Sequence, residues 1–421
     1  MSLFKIMLIF LFLFLFLFIL YFLLQKRTLI LYNMEMKKSN ITEGFVDDEE
    51  SKMVRSVALD AVEHPTGIIG NLNEETQKKT LSHLCIKGAA NSAYTGYSNT
   101  PIMVNYVLSR GCRFLDFEVY YLSNNNTGNV ACVGYSEDPA DEKPSVNNNK
   151  NVLLYNILTS AINHAFTGGG SDDNEYKVIN TKDPLFINLR MKASDDVVHK
   201  NLFDEIRKTL NEIKNISSYR RYFTNLDVNG DTIINTIMGK VIICIEKHPI
   251  IIDERYKKSI DYKPRKVKTV TFNGRSYNMN NREDYNAHIN IISNGGSLTK
   301  GYYSHINVEK FEGCPPKIRE NGDVSFECGE KEHGFIWISP DFNKMGQNNP
   351  NVFSSIFNYG NQITAMQYYK KDQELIENEK MFKVYNGSYV PMAYCLSYVQ
   401  KYAVPDDLKG TNFFTAIPTL F

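Results

Sequence analysis

Gly111-Cys112-Arg113-Phe114-Leu115-Asp116-Phe117-Glu118-Val119-Tyr120-Tyr121 is the stretch whose reading decides the fold. Before it, Pro101 to Arg110 places Ile102, Met103, Tyr106, Val107 and Leu108 on one helical face. Gly111 follows that face as a C-terminal glycine. Phe114 to Tyr121 then reads as a strand. Alternate strand residues share a face, so Asp116 and Glu118 point the same way. Upstream, Leu81 to Gly88 is a short apolar run of the kind a buried strand uses.

Downstream the same alternation continues. Gly128 to Tyr135 reads as a strand, and Asp138 to Lys150 as a polar loop. Val152 to Phe166 is helical by pattern and stops at Gly168, Gly169 and Gly170. Leu185 to Leu189 is a strand after Asp183-Pro184. Val197 to Ile216 is a long amphipathic helix, and Lys240 to Glu246 is a strand. Strands alternating with helices imply a parallel sheet, and the number of units favours a (β/α)8 barrel over an open sheet. Residues 256–333 break the rhythm; they are rich in Asn, Gly, Lys and Tyr and read as an insertion or linker with room for extra strands. Barrel-like pattern returns from Phe335 to about Ala403.

The remaining organisation follows from composition. The chain has 421 residues, 47 basic and 47 acidic, and this balance argues against a nucleic-acid partner. Ile6 to Leu24 is unbroken apolar sequence spanning ~28 Å, close to a bilayer core of ~30 Å. A cleaved signal peptide is the alternative, but the run is long and meets Gln25, Lys26 and Arg27 with no small-residue cleavage site. An uncleaved anchor over residues 4–25 is therefore expected. A linker over 26–78 follows, then a first barrel half over 79–255, the insertion over 256–333, and a second half with its tail over 334–421.

Lys26, Arg27, Lys37 and Lys38 after the span outnumber Lys5 before it, which places the bulk of the chain on the cytosolic side. Four glycosylation sequons, at Asn40, Asn125, Asn215 and Asn386, are matches that an Asn-rich chain produces by chance. The seven cysteines form no C-x-x-C pair and read as mostly reduced thiols, with a Cys314–Cys328 pairing left open.

Two stretches together resemble the conserved halves of eukaryotic phosphoinositide-specific phospholipase C. In the first, Ile86-Lys87-Gly88-Ala89-Ala90-Asn91-Ser92 resembles the family's strand ending in Ser-His-Asn-Thr. Gly111 to Glu118 resembles its Gly-Cys-Arg segment, Leu158 to Phe166 the helix that follows, Asp183 to Arg190 its next strand, and Gly239-Lys240-Val241-Ile242-Ile243 the one after. In the second, the likeness runs from Ile338 to Tyr398 through Asn348-Asn349-Pro350, Tyr359 to Gln367, and Phe382 to Ser388. Each motif is short; their shared order and spacing are specific. The resemblance implies a split barrel with its site at the C-terminal ends of the strands. The apolar N-terminal run then stands in for the membrane-binding modules of many family members.

The resemblance also implies a site, and this chain departs from it. The family's reaction uses two histidines and a calcium ion. The histidine positions fall on Ala90 and Val133, which cannot move protons. Asn91, Asp116 and Glu118 keep three calcium-ligand positions; the fourth, a glutamate, falls on Arg190. A guanidinium there repels a divalent cation and is expected to pair with Asp116 or Glu118 in its place. The family's phosphate-gripping lysines fall near Cys244 and Glu246, and its second-half arginine near Trp337.

No cofactor is expected, and calcium only if the chain hydrolyses diesters through displaced residues. The expectation is thus a membrane-anchored pseudoenzyme that serves as scaffold or binding protein. The alternatives are an active phosphoric diester hydrolase on phosphoinositide-type lipids and a module for anionic lipid or inositol phosphate. Asp116, Glu118 and Arg190 also fit an ordinary interior polar network. His83, His164 and His199 fall before the first strand or on helices, away from barrel chemistry. The Lys257, Lys258, Lys263, Arg265, Lys266 and Lys268 cluster reads as solvated surface, or as a contact for anionic headgroups.

Overall fold

The computed structural model describes residues 70–124, 128–136, 143–144, 152–169, 176–193, 196–224, 226, 228–246, 269–272, 275–278, 289–292, 298–303, 316–326, 335–340 and 348–402. The Ile6–Leu24 run, its linker, the lysine-rich 257–268 cluster, Cys314 and Cys328 lie outside the described residues. Among the described residues no helix is long and apolar enough to cross a membrane.

Eight strands run parallel in one row: β1 (Leu84–Ala89), β2 (Phe114–Asn124), β3 (Leu185–Met191), β4 (Val241–Glu246), β5 (Ile289–Ile292), β6 (Leu298–Tyr303), β7 (Phe335–Pro340) and β8 (Ile363–Met366). Their spatial order is β6-β7-β8-β1-β2-β3-β4-β5, the cyclic order of an eight-stranded barrel, with β6 and β5 at the ends of the row. This is an α/β fold whose parallel sheet follows the strand order of an eight-stranded barrel. The segment read as an insertion is not outside it, because β5 and β6 both fall within 256–333. Four to six residues with interleaved Asn, Thr and Lys carry too weak an alternation to stand out there.

Helices α1 (Pro101–Ser109), α2 (Leu154–Thr167), α3 (Asp196–Asn215), α4 (Val352–Tyr359), α5 (Gln373–Val384) and α6 (Met392–Tyr402) make up the connections. Their ends follow local chemistry. Thr100 caps α1 by accepting from the Ile102 amide at 3.2 Å, and Pro101 opens it at a position where its missing N–H costs nothing. Gly168 ends α2 at φ 82°, where a Cβ would meet the Val178 carbonyl at 2.9 Å. Beyond Val119, β2 leaves the row and forms an antiparallel hairpin with Gly128–Gly134. At the opposite end Tyr389–Pro391 pairs antiparallel with the start of β1.

The strand register sorts the interior into layers. Phe114, Phe186 and Ile242 stand in one, and Ile86, Ile363 and Trp337 in another, with the Phe114 and Trp337 ring centroids 5.2 Å apart. These residues join Leu81, Leu84, Ala365 and Tyr389 in one buried apolar cluster. One layer toward the strand C-termini the chemistry changes: Asp116, Asn188 and Cys244 stand side by side, then Glu118 and Arg190. The apolar layers are the barrel's core, and the polar ones lie at the mouth where barrel chemistry resides.

Candidate functional site

Three strand ends build the mouth. β1 runs out through Ala90 to Asn91, which adopts φ 46°. The turn is held by Ser92, whose hydroxyl donates to the Ala89 carbonyl at 2.9 Å and accepts the Asp116 amide at 3.0 Å. Asn and Asp tolerate this left-handed conformation better than other residues, so an asparagine here has a backbone reason as well as a chemical one. β2 presents Asp116 and Glu118, and β3 presents Asn188 and Arg190 directly opposite them.

Arg190 occupies the middle of this group. Its Nε donates to Asp116 Oδ1 at 2.8 Å and Oδ2 at 3.1 Å, and its Nη2 to Asp116 Oδ2 at 2.9 Å. Nη1 donates to Glu118 Oε1 at 2.9 Å, and Nη2 also to Asn91 Oδ1 at 2.5 Å. Asn188 Nδ2 and the Asn91 amide complete the Asp116 carboxylate at 2.9 and 3.2 Å. The Tyr120 hydroxyl and the Ser136 amide serve Glu118 Oε2 at 2.6 and 3.2 Å. Both carboxylates are essentially inaccessible, at 0% and 1% exposure, and Arg190 is at 7%. Buried charges persist only when paired and hydrogen-bonded, and the guanidinium and both carboxylates meet these conditions, whereas the amide atoms Asn91 Nδ2 and Asn188 Oδ1 beside them have no hydrogen-bond partner among the described residues.

A calcium ion does not fit these residues. The oxygens of Asn91, Asp116 and Glu118 that face the centre of the group accept from a fixed guanidinium, and its charge opposes a second cation there. Among the described residues no three His, Cys, Asp or Glu side chains group so as to hold a metal ion.

The structure thus brings together Asn91, Asp116, Glu118 and Arg190. It places the other residues singled out by the sequence elsewhere. Trp337 belongs to the interior apolar cluster beneath the mouth; Ala90 and Cys244 also pack against that cluster, and Cys244 stands beside Asn188 in the first polar layer. Burial pushes the Cys244 thiol up to about 12, which leaves it a small apolar group. Val133 lies in the hairpin opposite Val119, and the Glu246 side chain lies outside the described residues.

The histidines have other partners. His83 stacks on Phe326 with centroids 6.0 Å apart, below β1, and His164 donates from Nε2 to the Tyr176 carbonyl at 2.5 Å on α2. The His199 side chain on α3 lies outside the described residues.

Sequence reasoning missed the residues that surround the group. Asn188, Tyr120 and Ser136 complete its hydrogen bonds. Tyr94 and Tyr135 stack 3.8 Å apart, with Tyr369 edge-on to Tyr94 at 4.8 Å. Burial first, then Tyr135, raises the Tyr369 hydroxyl well above its ordinary value. Asn188 was legible two positions before Arg190 on the same strand face; the tyrosines follow strand ends with no local pattern to mark them.

No protein-family model and no curated protein matches the sequence. Solved structures of phospholipases C are similar in fold at low identity. L. pealei PLC21 is 12% identical with a TM-score of 0.42, and S. officinalis PLC21 14% identical with a TM-score of 0.41. In each case the match covers 75% of this chain and 37% of that one. A calcium-dependent phosphoinositol-specific phospholipase C from a Pseudomonas species is 11% identical with a TM-score of 0.41, covering 79% of this chain and 100% of that one.

Proposed function

We propose that this chain is a membrane-anchored pseudoenzyme, a phospholipase-C-like barrel that serves as a scaffold or binding protein and does not hydrolyse phosphodiesters. The observation that carries the reading is the Arg190 guanidinium seated among Asn91, Asp116 and Glu118. Diester cleavage needs a group that takes a proton from the attacking hydroxyl and one that gives a proton to the leaving group. Ala90 and Val133 stand where the resemblance places those groups, and the carboxylates are occupied by an internal cation. Loss of one general acid–base group costs on the order of 10²–10⁴ in rate. The anchor is the Ile6–Leu24 run, and its basic flank favours a cytosol-facing barrel.

The test is turnover of phosphatidylinositol and its phosphorylated forms by the full chain in detergent micelles, with calcium and with chelator. The expected result is no inositol phosphate above a protein-free control in either condition. Calcium-dependent release would overturn the reading in favour of a hydrolase with displaced groups.

A further inference from the structure

Among the described residues Cys85, Cys112, Cys132, Cys244 and Cys395 are buried free thiols, and two of them share one place in the fold. Along β1, Leu84, Ile86 and Ala90 face the interior cluster, so Cys85, Lys87 and Ala89 face the surrounding helices. Lys87 marks that outer face by meeting Glu379 on α5 at 2.7 Å. Cys85 lies opposite Val390 in the short strand Tyr389–Pro391, and α6 starts at the next residue, Met392. α6 therefore leaves from beside Cys85, and it packs on β1. Its buried stripe holds Met392, Cys395, Leu396 and Val399, while Tyr394 and Tyr402 stand on the open side. Cys395 thus sits about one turn into α6, on the side that covers Cys85.

The two thiols are neighbours. Cys85 is 1% exposed and Cys395 0%, and burial first, then the Cys85 thiol, raises the Cys395 thiol well above its ordinary value. The other three thiols have different surroundings. Burial alone raises Cys132 to about 11 and Cys244 to about 12. Burial also raises Cys112, whose interacting neighbours are Lys87, Tyr368, Glu379 and Arg110.

We propose that Cys85 and Cys395 form a redox site at which hydrogen peroxide closes a disulfide between β1 and α6. One thiol attacks the peroxide: the O–O bond breaks, one oxygen stays on sulfur as a sulfenic acid, and water leaves. The second thiol attacks that sulfur; the S–S bond forms, and the hydroxyl leaves with the thiol proton as a second water. The two sulfurs lose two electrons and the peroxide gains them. Burial shields the pair from bulky or charged oxidants, so the site answers to a small neutral one that enters when α6 opens locally. The bond joins the first barrel half to the second and closes a loop of ~310 residues, the long-loop case in which a cross-link constrains the unfolded chain most. This site is separate from the Arg190 group and does not depend on its chemistry.

The test incubates the full chain in detergent micelles with hydrogen peroxide, denatures it, caps the remaining thiols with N-ethylmaleimide and maps the peptides without reduction. The expected product is one peptide pair joined through Cys85 and Cys395, with Cys112, Cys132 and Cys244 recovered as capped thiols. Before denaturation, the oxidised chain is expected to melt about 5–10 °C higher than the reduced one, and dithiothreitol is expected to reverse the shift. Cys395→Ala and Cys85→Ala are each expected to remove both the linked pair and the peroxide-dependent shift. If either variant fails to fold, the peptide map of the parent chain decides the matter alone. Recovery of both thiols unlinked, conversion of either to a sulfinic acid without a link, or a link from either to another cysteine would overturn the proposal.

Discussion

A guanidinium carries its charge on a planar fork of donors, and Arg190 directs all three of its nitrogens at oxygens of Asn91, Asp116 and Glu118. Lysine offers a compact charge without that fork, so it is a poor substitute here. Arg190→Met leaves two buried carboxylates uncompensated, and the expected loss is about 3–5 kcal/mol of stability. Neutralising the partners as well, with Asp116→Asn and Glu118→Gln, is expected to recover most of it, because replacing a whole buried ion group by neutral residues is often nearly free. Urea unfolding of the two variants beside the parent chain checks both directions. His164 gives a pH counterpart. Burial, with a smaller contribution from the nearby Arg113 charge, lowers its pKa below 6.5, although its bond to the Tyr176 carbonyl opposes this. The unfolded chain therefore takes up a proton at a pH where the folded chain does not. The His164 contribution is full above 6.5, falls as the pH drops from there toward the lowered folded value, and is flat below it. His164→Gln is expected to flatten the melting-temperature profile over the stretch immediately below pH 6.5.

At the scale of elements, the polar contacts that dock α5 against the barrel are as buried as those at the mouth. Glu379 on α5 accepts Lys87 of β1 at 2.7 Å, Arg110 at the end of α1, and the Tyr368 hydroxyl at 2.5 Å. Burial pushes the Glu379 carboxyl up, but Lys87 and Arg110 outweigh it and hold the group below its ordinary value. Glu379→Gln removes the carboxylate that Lys87 and Arg110 share, and about 3–5 kcal/mol of stability is expected to go with it, read from the urea midpoint at constant slope. This cluster was not legible in the sequence. Apolar periodicity is a local signal, and it located β1 to β4 and α1 to α3 because each is long or strongly patterned. Glu379 meets Lys87 only after the chain has closed its row of strands. The mouth was more legible because Asp116, Glu118 and Arg190 sit on adjacent strands whose apolar neighbours fix their register. Trp337 shows the limit: the resemblance sets it near a binding pocket, and its register with Ile363 and Ile86 puts it in the interior apolar core.

For the molecule as a whole, the proposed tether and orientation stand on charge and length alone, and surface geometry supplies a way to test them. The Ile6–Leu24 run is long enough to span a bilayer, so the full chain is expected to stay with membranes through alkaline carbonate extraction. Deletion of residues 1–32 is expected to move it to the soluble fraction. Orientation has its own readout in the sequons. Asn215 at the end of α3 and Asn386 after α5 are exposed in the fold, and both lie in N-x-S sequons. If the barrel faced an oxidising lumen, these two asparagines would be accessible to glycosylation. In the proposed orientation, with Lys26, Arg27, Lys37 and Lys38 on the cytosolic side, they would never meet the transferase. Cells expressing the full chain are therefore expected to yield a single species whose gel mobility an endoglycosidase leaves unchanged. A mobility shift that Asn215→Gln and Asn386→Gln abolish would reverse the orientation, and with it the expectation that the buried cysteines stay reduced.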